Sequence, residues 1–112
     1  MIRVEIRLGH QGALRGFSVS GHSGTGSRGE DLVCAAVSVL FRTAARLLQL
    51  QPDVDVQGGA AENGTMELQV DTVPAERRQW LVGLSDFLIR GARDLQEENP
   101  GAISLRVSEG EA

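Results

Sequence analysis

Residues 31–50, DLVCAAVSVLFRTAARLLQL, are the stretch from which the fold can be worked out. Apolar residues recur at positions 33, 37, 40, 41, 44, 47 and 48, and these spacings of three and four place them on one face of a helix. The composition changes sharply at Asp31, and Pro52 stops a helix because it lacks the backbone N–H that continues the hydrogen-bond ladder. The stretch therefore predicts an amphipathic helix from Leu32 to Leu50.

Alternating segments on the N-terminal side of this helix predict a β-hairpin. In residues 2–8, IRVEIRL, apolar and charged residues alternate, which is typical of a half-buried strand. The sequence His10-Gln11-Gly12 predicts a turn, and residues 13–20 alternate imperfectly as a second strand. Residues 21–29 contain four glycines, so the segment between this strand and the helix is predicted to be a loop.

A second hairpin is predicted on the C-terminal side of the helix. Val54 and Val56 alternate with aspartates and indicate a short strand. Gly58-Gly59 and Asn63-Gly64 are typical of turns. Residues 65–71 alternate again and form the expected partner strand.

A second helix and a last strand complete the chain. Residues 72–74 open the helix, since proline is tolerated in a first turn, and residues 99–101 break it before a strand at 103–107. The apolar positions of this helix are Trp80, Leu81, Leu84, Leu88 and Leu95. The sequence therefore predicts a single α+β domain over residues 1–112, in the order ββ-α-ββ-α-β, with two helices packed on a mostly antiparallel sheet.

Composition and charge exclude several classes of function. All eleven cations among the 112 residues are arginine, so Schiff-base chemistry, a Ser-Lys pair and a phosphate-loop lysine are excluded. The net charge of −4 argues against a general nucleic-acid binder. The single cysteine, Cys34, excludes an internal disulfide and a cysteine-rich zinc site. We expect neither an export signal nor a membrane-spanning segment, and a free thiol in such a chain predicts the cytoplasm.

Three glycine motifs in the loop resemble known binding or catalytic motifs, but each departs from its pattern. Residues 24–29 match G-x-G-x-x-G, yet helical composition begins only after Gly29 and the strand before the loop is not an apolar run. Residues 21–28 have Ser27-Arg28 where a phosphate loop needs lysine and a hydroxyl. Residues 21–25 lack the last glycine of a serine-nucleophile elbow.

His22 and Cys34 stand on either side of this loop and are the candidate catalytic pair. Cys34 is expected in the first turn of the helix, where unpaired N–H groups and the helix dipole favour a thiolate. The glycines allow the loop to double back, which would bring the His22 imidazole to the sulfur as a general acid and base. The alternative remains that Cys34 is a small buried apolar residue and His22 a solvated loop residue.

Asp31, Ser38 and His10 each allow more than one interpretation. Asp31 is either the helix N-cap or a third catalytic member that orients His22. Ser38 lies one helical turn beyond Cys34 on the same side, where it either hydrogen-bonds the nucleophile or substrate or bonds its own backbone. His10 is predicted to be a turn residue, because a zinc site from His10, His22 and Cys34 lacks any paired-ligand spacing.

The same stretch resembles the motif of a bacterial family of ribosomal-processing cysteine proteases, the Prp family. That motif consists of Gly-His, a short loop, Gly, an acidic residue, Asp, two apolar residues and then Cys-Ala-Ala-Val-Ser. Residues 21–22, 29–33 and 34–38 match it in order. Ser23 stands where the family often has alanine, and residues 24–28 are unusually rich in glycine. The resemblance extends over the whole chain.

The resemblance implies a cysteine endopeptidase with Cys34 as nucleophile and His22 as its proton partner. It implies that the substrate is the precursor of a large-subunit ribosomal protein, number twenty-seven, which loses a short N-terminal extension after an apolar segment containing an aromatic residue. It also implies a cytoplasmic homodimer without a metal or organic cofactor. With the acidic charge, we expect no direct nucleic-acid partner and no membrane contact.

The glycines of the loop have an expected role in such an enzyme. Gly24, Gly26 and Gly29 are expected to form a substrate loop that orders when peptide binds, and N–H groups of the first helical turn near Cys34 are expected to form the oxyanion hole. Two alternatives remain at this point. One is a non-catalytic ribosome-associated binding module of the same fold, and the other is a Cys–His protease that acts on a different protein.

Overall fold

The computed structural model describes the backbone of residues 1–21, 28–60 and 65–110, and the side chains of these residues apart from 28–31 and 60. Short 3₁₀ turns precede the second strand and the second helix of this part of the chain. The elements are β1 (Ile2–Leu8), β2 (Leu14–Ser20), α1 (Arg28–Gln49), β3 (Val56–Ala60), β4 (Met66–Val70), α2 (Arg78–Glu98) and β5 (Ile103–Glu109).

The five strands form one mixed sheet in the order β3-β4-β2-β1-β5. Strand β1 pairs antiparallel with β2, β2 with β4, and β4 with β3, whereas β5 pairs parallel with β1. The predicted α+β class, the order ββ-α-ββ-α-β and the mostly antiparallel sheet are therefore confirmed.

Both helices pack on one face of this sheet and bury a single apolar core. Alternation decides which side chains enter it, since Ile2, Val4 and Ile6 of β1 are buried while Arg3 between them is exposed. The contact that fixes α1 over β2 is between Phe17 and Phe41, whose rings meet edge to face with centroids 5.0 Å apart.

The prediction of a turn at Gly58-Gly59 is wrong, because both glycines lie inside β3. Gly58 has φ +98°, and a Cβ there would collide with the carbonyl oxygen of Glu67 on β4. Glycine therefore allows the two backbones to approach closely at this register instead of turning the chain. The second predicted turn, at Asn63-Gly64, lies outside the described residues.

The predicted beginnings of both helices also differ from the structure. α1 begins at Arg28, four residues before Leu32, and α2 begins at Arg78, after a 3₁₀ turn that Pro74 precedes. Polar residues in a first turn carry no apolar periodicity, so the start of α1 predicted from that periodicity falls too late. The start of α2, predicted from Pro74, falls too early because a 3₁₀ turn at Ala75–Arg77 comes first.

Within α1, the stretch Leu32–Gln49 is long enough and apolar enough in composition to cross a membrane, which the sequence expectation did not foresee. One face of this stretch is buried in the core and the other faces outward, where Arg42 and Arg46 are exposed. The division is typical of a core helix in a globular domain. The buried side chains of α1 are Val33, Val37, Phe41, Ala44, Ala45 and Leu48.

A polar cluster ties the chain after α1 to the start of α2. Arg77 Nε donates to Asp53 Oδ2 at 2.9 Å, and its Nη2 donates to Gln51 Oε1 at 2.8 Å. Its guanidinium carbon also lies 4.8 Å from the centre of the Trp80 ring. The hydrogen bond from Arg77 lowers the pKa of Asp53 below its ordinary value.

We predict that the contribution of Asp53 to stability depends on pH. Because the folded pKa is depressed, this contribution is complete above the unfolded pKa of about 4 and disappears as the pH falls through the lower folded value. Urea unfolding should therefore show Asp53→Asn less stable than wild type at pH 7, with a smaller difference between the two proteins at pH 3. Asp86→Asn, at an exposed carboxylate without an ion pair to a described residue, is the control. A wild-type advantage that is equally large at both pH values would contradict the prediction.

Candidate active site

Cys34 is the seventh residue of α1 and not part of its first turn, so the predicted position is corrected. Its side chain is half-buried and packs against the edge of the core. The unpaired N–H groups of a helix belong to its first four residues, here 28–31. Cys34 lies about 4–5 Å further along the axis, so its own N–H belongs to the helical ladder. The expectation that unpaired first-turn N–H groups serve Cys34 directly therefore loses its basis.

The same helix start corrects the interpretation of Asp31. As the fourth residue of α1, Asp31 cannot be the N-cap, which is by definition the residue flanking the first helical position. An acidic residue in a first turn still complements the helix dipole. Its alternative role, orienting His22, stays a prediction because the Asp31 side chain is not described.

Ser38 lies on the same side of α1 as Cys34, one turn later, and is half-buried. Its hydroxyl forms no hydrogen bond to a residue that the structure describes. Ser85 on α2 shows the alternative, because its hydroxyl donates to the Leu81 carbonyl at 2.9 Å. The interpretation of Ser38 as a serine bonded to its own helix therefore finds no support.

Cys34 stands close to the level at which β2 ends. Phe17 lies three residues before Ser20, about 10 Å along the strand. Its partner Phe41 lies seven residues after Cys34, also about 10 Å along the helix. β2 runs toward the segment that connects it to α1, and α1 runs away from that segment. Ser20 and Cys34 therefore lie at the same end of the sheet, each about 10 Å from the Phe17–Phe41 contact.

Cys34 and Ser38 face away from α2. Leu40 packs against α2 at Gly91, so closely that a Cβ added to this glycine would lie 2.9 Å from Leu40 Cδ2. Cys34 and Ser38 lie about 120–160° around the helix from Leu40, at roughly 100° per residue. Gln49 lies further along the flank of α1 that carries Cys34, and its Nε2 donates to the Gly58 carbonyl oxygen at 3.5 Å. Because Gly58 belongs to β3, the thiol is on the β3 side of α1.

Gly21 sets the direction in which the chain leaves β2 toward His22. It has φ +81°, and a Cβ there would lie 2.5 Å from the Met1 carbonyl oxygen. Neither the φ angle nor the space admits a side chain without a shift of the backbone. In the sequence Gly21 counted only as part of a motif, and its place immediately before His22 is the signal for this positioning role.

We expect Gly21→Ala to lower the rate of the predicted peptide cleavage roughly 10²-fold, because it displaces His22, the candidate general acid. It should also destabilise the fold by about 1–3 kcal/mol. Gly12→Ala is the matched control, since Gly12 has nearly the same φ of +82° but no atom within 4 Å of a Cβ. Cleavage assays and urea unfolding should show full activity in the control and a smaller loss of stability, because only the cost of the positive φ is shared. Equal activity of the two variants would contradict the positioning role.

The loop residues of the prediction divide between described and undescribed parts of the chain. His22, Gly24 and Gly26 lie outside the described residues. Gly29 is helical, so its assignment to the substrate loop is corrected. Because Gly29 is helical, the late start of helical composition no longer argues against a dinucleotide motif at residues 24–29. The objection from the preceding strand stands, because β2 lies between two antiparallel neighbours.

The structure argues against a zinc site that includes His10. Strand β1 runs from the Ser20 end of the sheet to the opposite end, and His10 follows it there. The span from Arg3 to Leu8 alone is about 17 Å, far beyond the reach of a shared metal ion. Among the described residues, no group of three or more His, Cys, Asp or Glu side chains could hold a metal.

Comparison with known proteins connects this site to a family. The family model described as cysteine protease Prp matches residues 1–104. The chain belongs to this family. The predicted resemblance to the Prp family and the prediction of a cysteine protease are thereby confirmed. No curated protein gives a significant match.

Several solved structures share the fold of this chain. The SMU.848 protein of Streptococcus mutans has a TM-score of 0.77 at 25% identity, covering 98% of this chain and 96% of its own. The essential ribosomal processing protease Prp of S. aureus, in complex with a substrate peptide, has a TM-score of 0.77 at 17% identity, with coverage of 96% and 99%. The S. aureus protease with a covalently linked product peptide has a TM-score of 0.75 at 18% identity and the same coverage.

Proposed function

We propose that this protease removes a short N-terminal extension from the precursor of large-subunit ribosomal protein twenty-seven, with Cys34 as nucleophile and His22 as its proton partner. The observation that carries the proposal is the position of Cys34, half-buried and close to the end of β2, where Gly21 directs the chain toward His22. The S. aureus relative, which is a ribosomal processing protease, supports the choice of substrate.

The proposed reaction has two steps. Cys34 Sγ attacks the scissile carbonyl carbon while His22 accepts the thiol proton, and the tetrahedral intermediate collapses as His22 donates that proton to the leaving amine. This releases the mature ribosomal protein and leaves the extension as a thioester on Cys34. Water then attacks the thioester with His22 as general base, which frees the extension and restores the thiol.

Supporting roles follow for the neighbouring residues. Asp31 would hold the His22 ring in its productive orientation. The Ser38 hydroxyl, which has no hydrogen-bond partner among the described residues, would donate to the substrate or the nucleophile. Gly24 and Gly26 stay predicted members of a substrate loop that would order when peptide binds. In this proposal peptide binding completes the site, so an alkylating reagent should modify Cys34 at different rates with and without an uncleavable substrate peptide.

The substrate assignment is tested by incubating the protein with the ribosomal precursor and analysing the products by mass spectrometry. The proposal expects one cut at the end of the extension. An intact precursor that binds tightly to both wild type and Cys34→Ala would instead support a non-catalytic ribosome-associated module. If the ribosomal protein encoded in the source genome lacks an extension, the substrate of this protease is a different protein.

We also propose that the enzyme is a cytoplasmic homodimer that associates through the outer groove between α1 and α2. This groove has a volume of about 400 Å³, and its rim carries Val39 and Phe87, which are 53% and 64% exposed. Exposed apolar side chains gathered at one place are typical of an association surface. The groove is lined by Val39, Leu40, Thr43, Ala44, Leu47, Leu84 and Phe87.

Val39→Glu is expected to shift the protein from dimer to monomer in size-exclusion chromatography with light scattering. A carboxylate placed in an apolar interface must be desolvated without a partner, which weakens association by at least about tenfold. Leu50→Glu, at a residue that is 70% exposed and does not line the groove, should leave the dimer intact. Dimers of equal stability in both variants would contradict the assignment of this surface.

A further inference from the structure

Strand β3 is an edge strand whose outer side carries little protection. It is the first strand in the order β3-β4-β2-β1-β5, so no strand of the described residues lies beside its outer side. Its sequence, VQGGA, has no charge and no proline, which are the usual means of preventing an edge from pairing. The opposite edge, β5, carries Arg106 and Glu109.

The backbone groups that point outward from β3 follow from its pairing with β4. Just before the strand, the Asp55 N–H donates to the Thr72 carbonyl and the Asp55 carbonyl accepts from Asp71, so Asp55 points toward β4. Alternation then directs the N–H and C=O groups of Val56, Gly58 and Ala60 outward. The bond from Gln49 Nε2 to the Gly58 carbonyl agrees with this direction, and at 3.5 Å it is long enough to be readily replaced.

The outer edge of β3 leads toward the candidate active site. Ala60 at the end of β3 pairs with Met66, and Met66 pairs with Val19, which lies two residues before Gly21. The flank of α1 that carries Cys34 faces the same side of the molecule. A chain extended along β3 therefore runs toward the end of the sheet where the thiol stands.

We propose that the N-terminal extension of the substrate binds as an added strand on β3, parallel to it, with its C-terminal end at Cys34. This inference rests on the proposed function, because it takes the extension as the occupant. Parallel pairing is required because β3 runs toward the site and the scissile bond follows the extension. The five residues of β3 span about 16 Å and pair with four or five substrate residues through main-chain hydrogen bonds.

Amide hydrogen exchange measured by NMR tests this proposal. The sample is the full chain with Cys34→Ala, with and without a saturating synthetic peptide that contains the extension and the cleavage site. Exchange of the outward amides of Val56, Gly58 and Ala60 should slow at least tenfold, while the Gln57 and Gly59 amides, already directed at β4, change little. The amides of Leu105 and Val107, which point outward from β5, are the internal control. Protection on β5, or none on β3, would overturn the proposal.

Peptides with a methyl group on selected backbone nitrogens supply a second test. In a parallel pairing, alternate substrate N–H groups point toward β3. Methylation of this set should weaken the peptide's inhibition of precursor cleavage at least tenfold, and methylation of the other set should not. Equal losses for both sets would contradict strand addition. If wild type cleaves the precursor but the alternation is absent, the docking mode fails and the proposed function stands. If the precursor is not cleaved, the proposed function itself fails.

Discussion

Cys34→Ala is expected to abolish cleavage of the ribosomal precursor, lowering kcat by at least about 10⁴-fold. The reason is chemical, because alanine offers no atom that can form the thioester, and the remaining residues supply only binding and polarisation. Cys34 is half-buried at the edge of the core, so the loss of its sulfur should cost little stability. Product formation in single-turnover assays measures the first effect and urea unfolding the second.

Ser38→Ala is the matched control, since it removes one polar atom from the same helical face one turn away. In the proposed mechanism Ser38 assists but forms no covalent bond, so its loss should lower kcat by about tenfold to a hundredfold. A Cys34→Ala protein that cuts the precursor within tenfold of the wild-type rate would show that the nucleophile is elsewhere.

Phe41→Ala is expected to lower the free energy of unfolding by about 3–5 kcal/mol. Phe41 is fully buried and meets Phe17 edge to face, so alanine leaves a cavity between α1 and the sheet. Because domains of this size are stable by only about 5–15 kcal/mol, a large share of the stability would be lost. The same contact sets the position of α1 relative to β2, so cleavage should fall as well, even where the variant remains folded.

Leu50→Ala is the control for this experiment. Leu50 follows α1 and is 70% exposed, so its truncation should change the free energy of unfolding by no more than about 0.5 kcal/mol. Urea unfolding at constant protein concentration compares both variants with wild type. A loss below about 1 kcal/mol for Phe41→Ala would show that the Phe17–Phe41 contact does not anchor the helix.

Local patterns in the sequence predicted most of the elements, because their signals lie within a few residues. Residues 2–8 alternate and form β1 over those same residues. The turn predicted at Gly58-Gly59 failed because the glycines serve a contact with Glu67, nine residues further along the chain. The parallel pairing of β1 with β5 joins Ile2 to Ile103, and no local pattern carries such a long-range choice.

The site was predictable in its residue types but not in its helical register. The motif singled out Cys34, and the family match supports the chemistry that the motif implied. Its position in α1 was wrong because Gly29 was taken as the end of the loop, whereas the helix begins at Arg28. The positioning role of Gly21 was missed because its positive φ and the lack of space for a Cβ beside the Met1 carbonyl depend on the pairing of β1 with β2.

Covalent trapping is the most direct test that Cys34 is the nucleophile at the end of an extension-binding site. The reagent is a peptide with the sequence of the extension that ends in a chloromethyl ketone at the cleavage position, which forms a stable thioether with an attacking thiol. We predict that mass spectrometry finds one peptide per chain, attached to Cys34, and that His22→Ala slows the reaction by at least tenfold. Attachment to another residue, or an equal rate in His22→Ala, would contradict the Cys34–His22 mechanism.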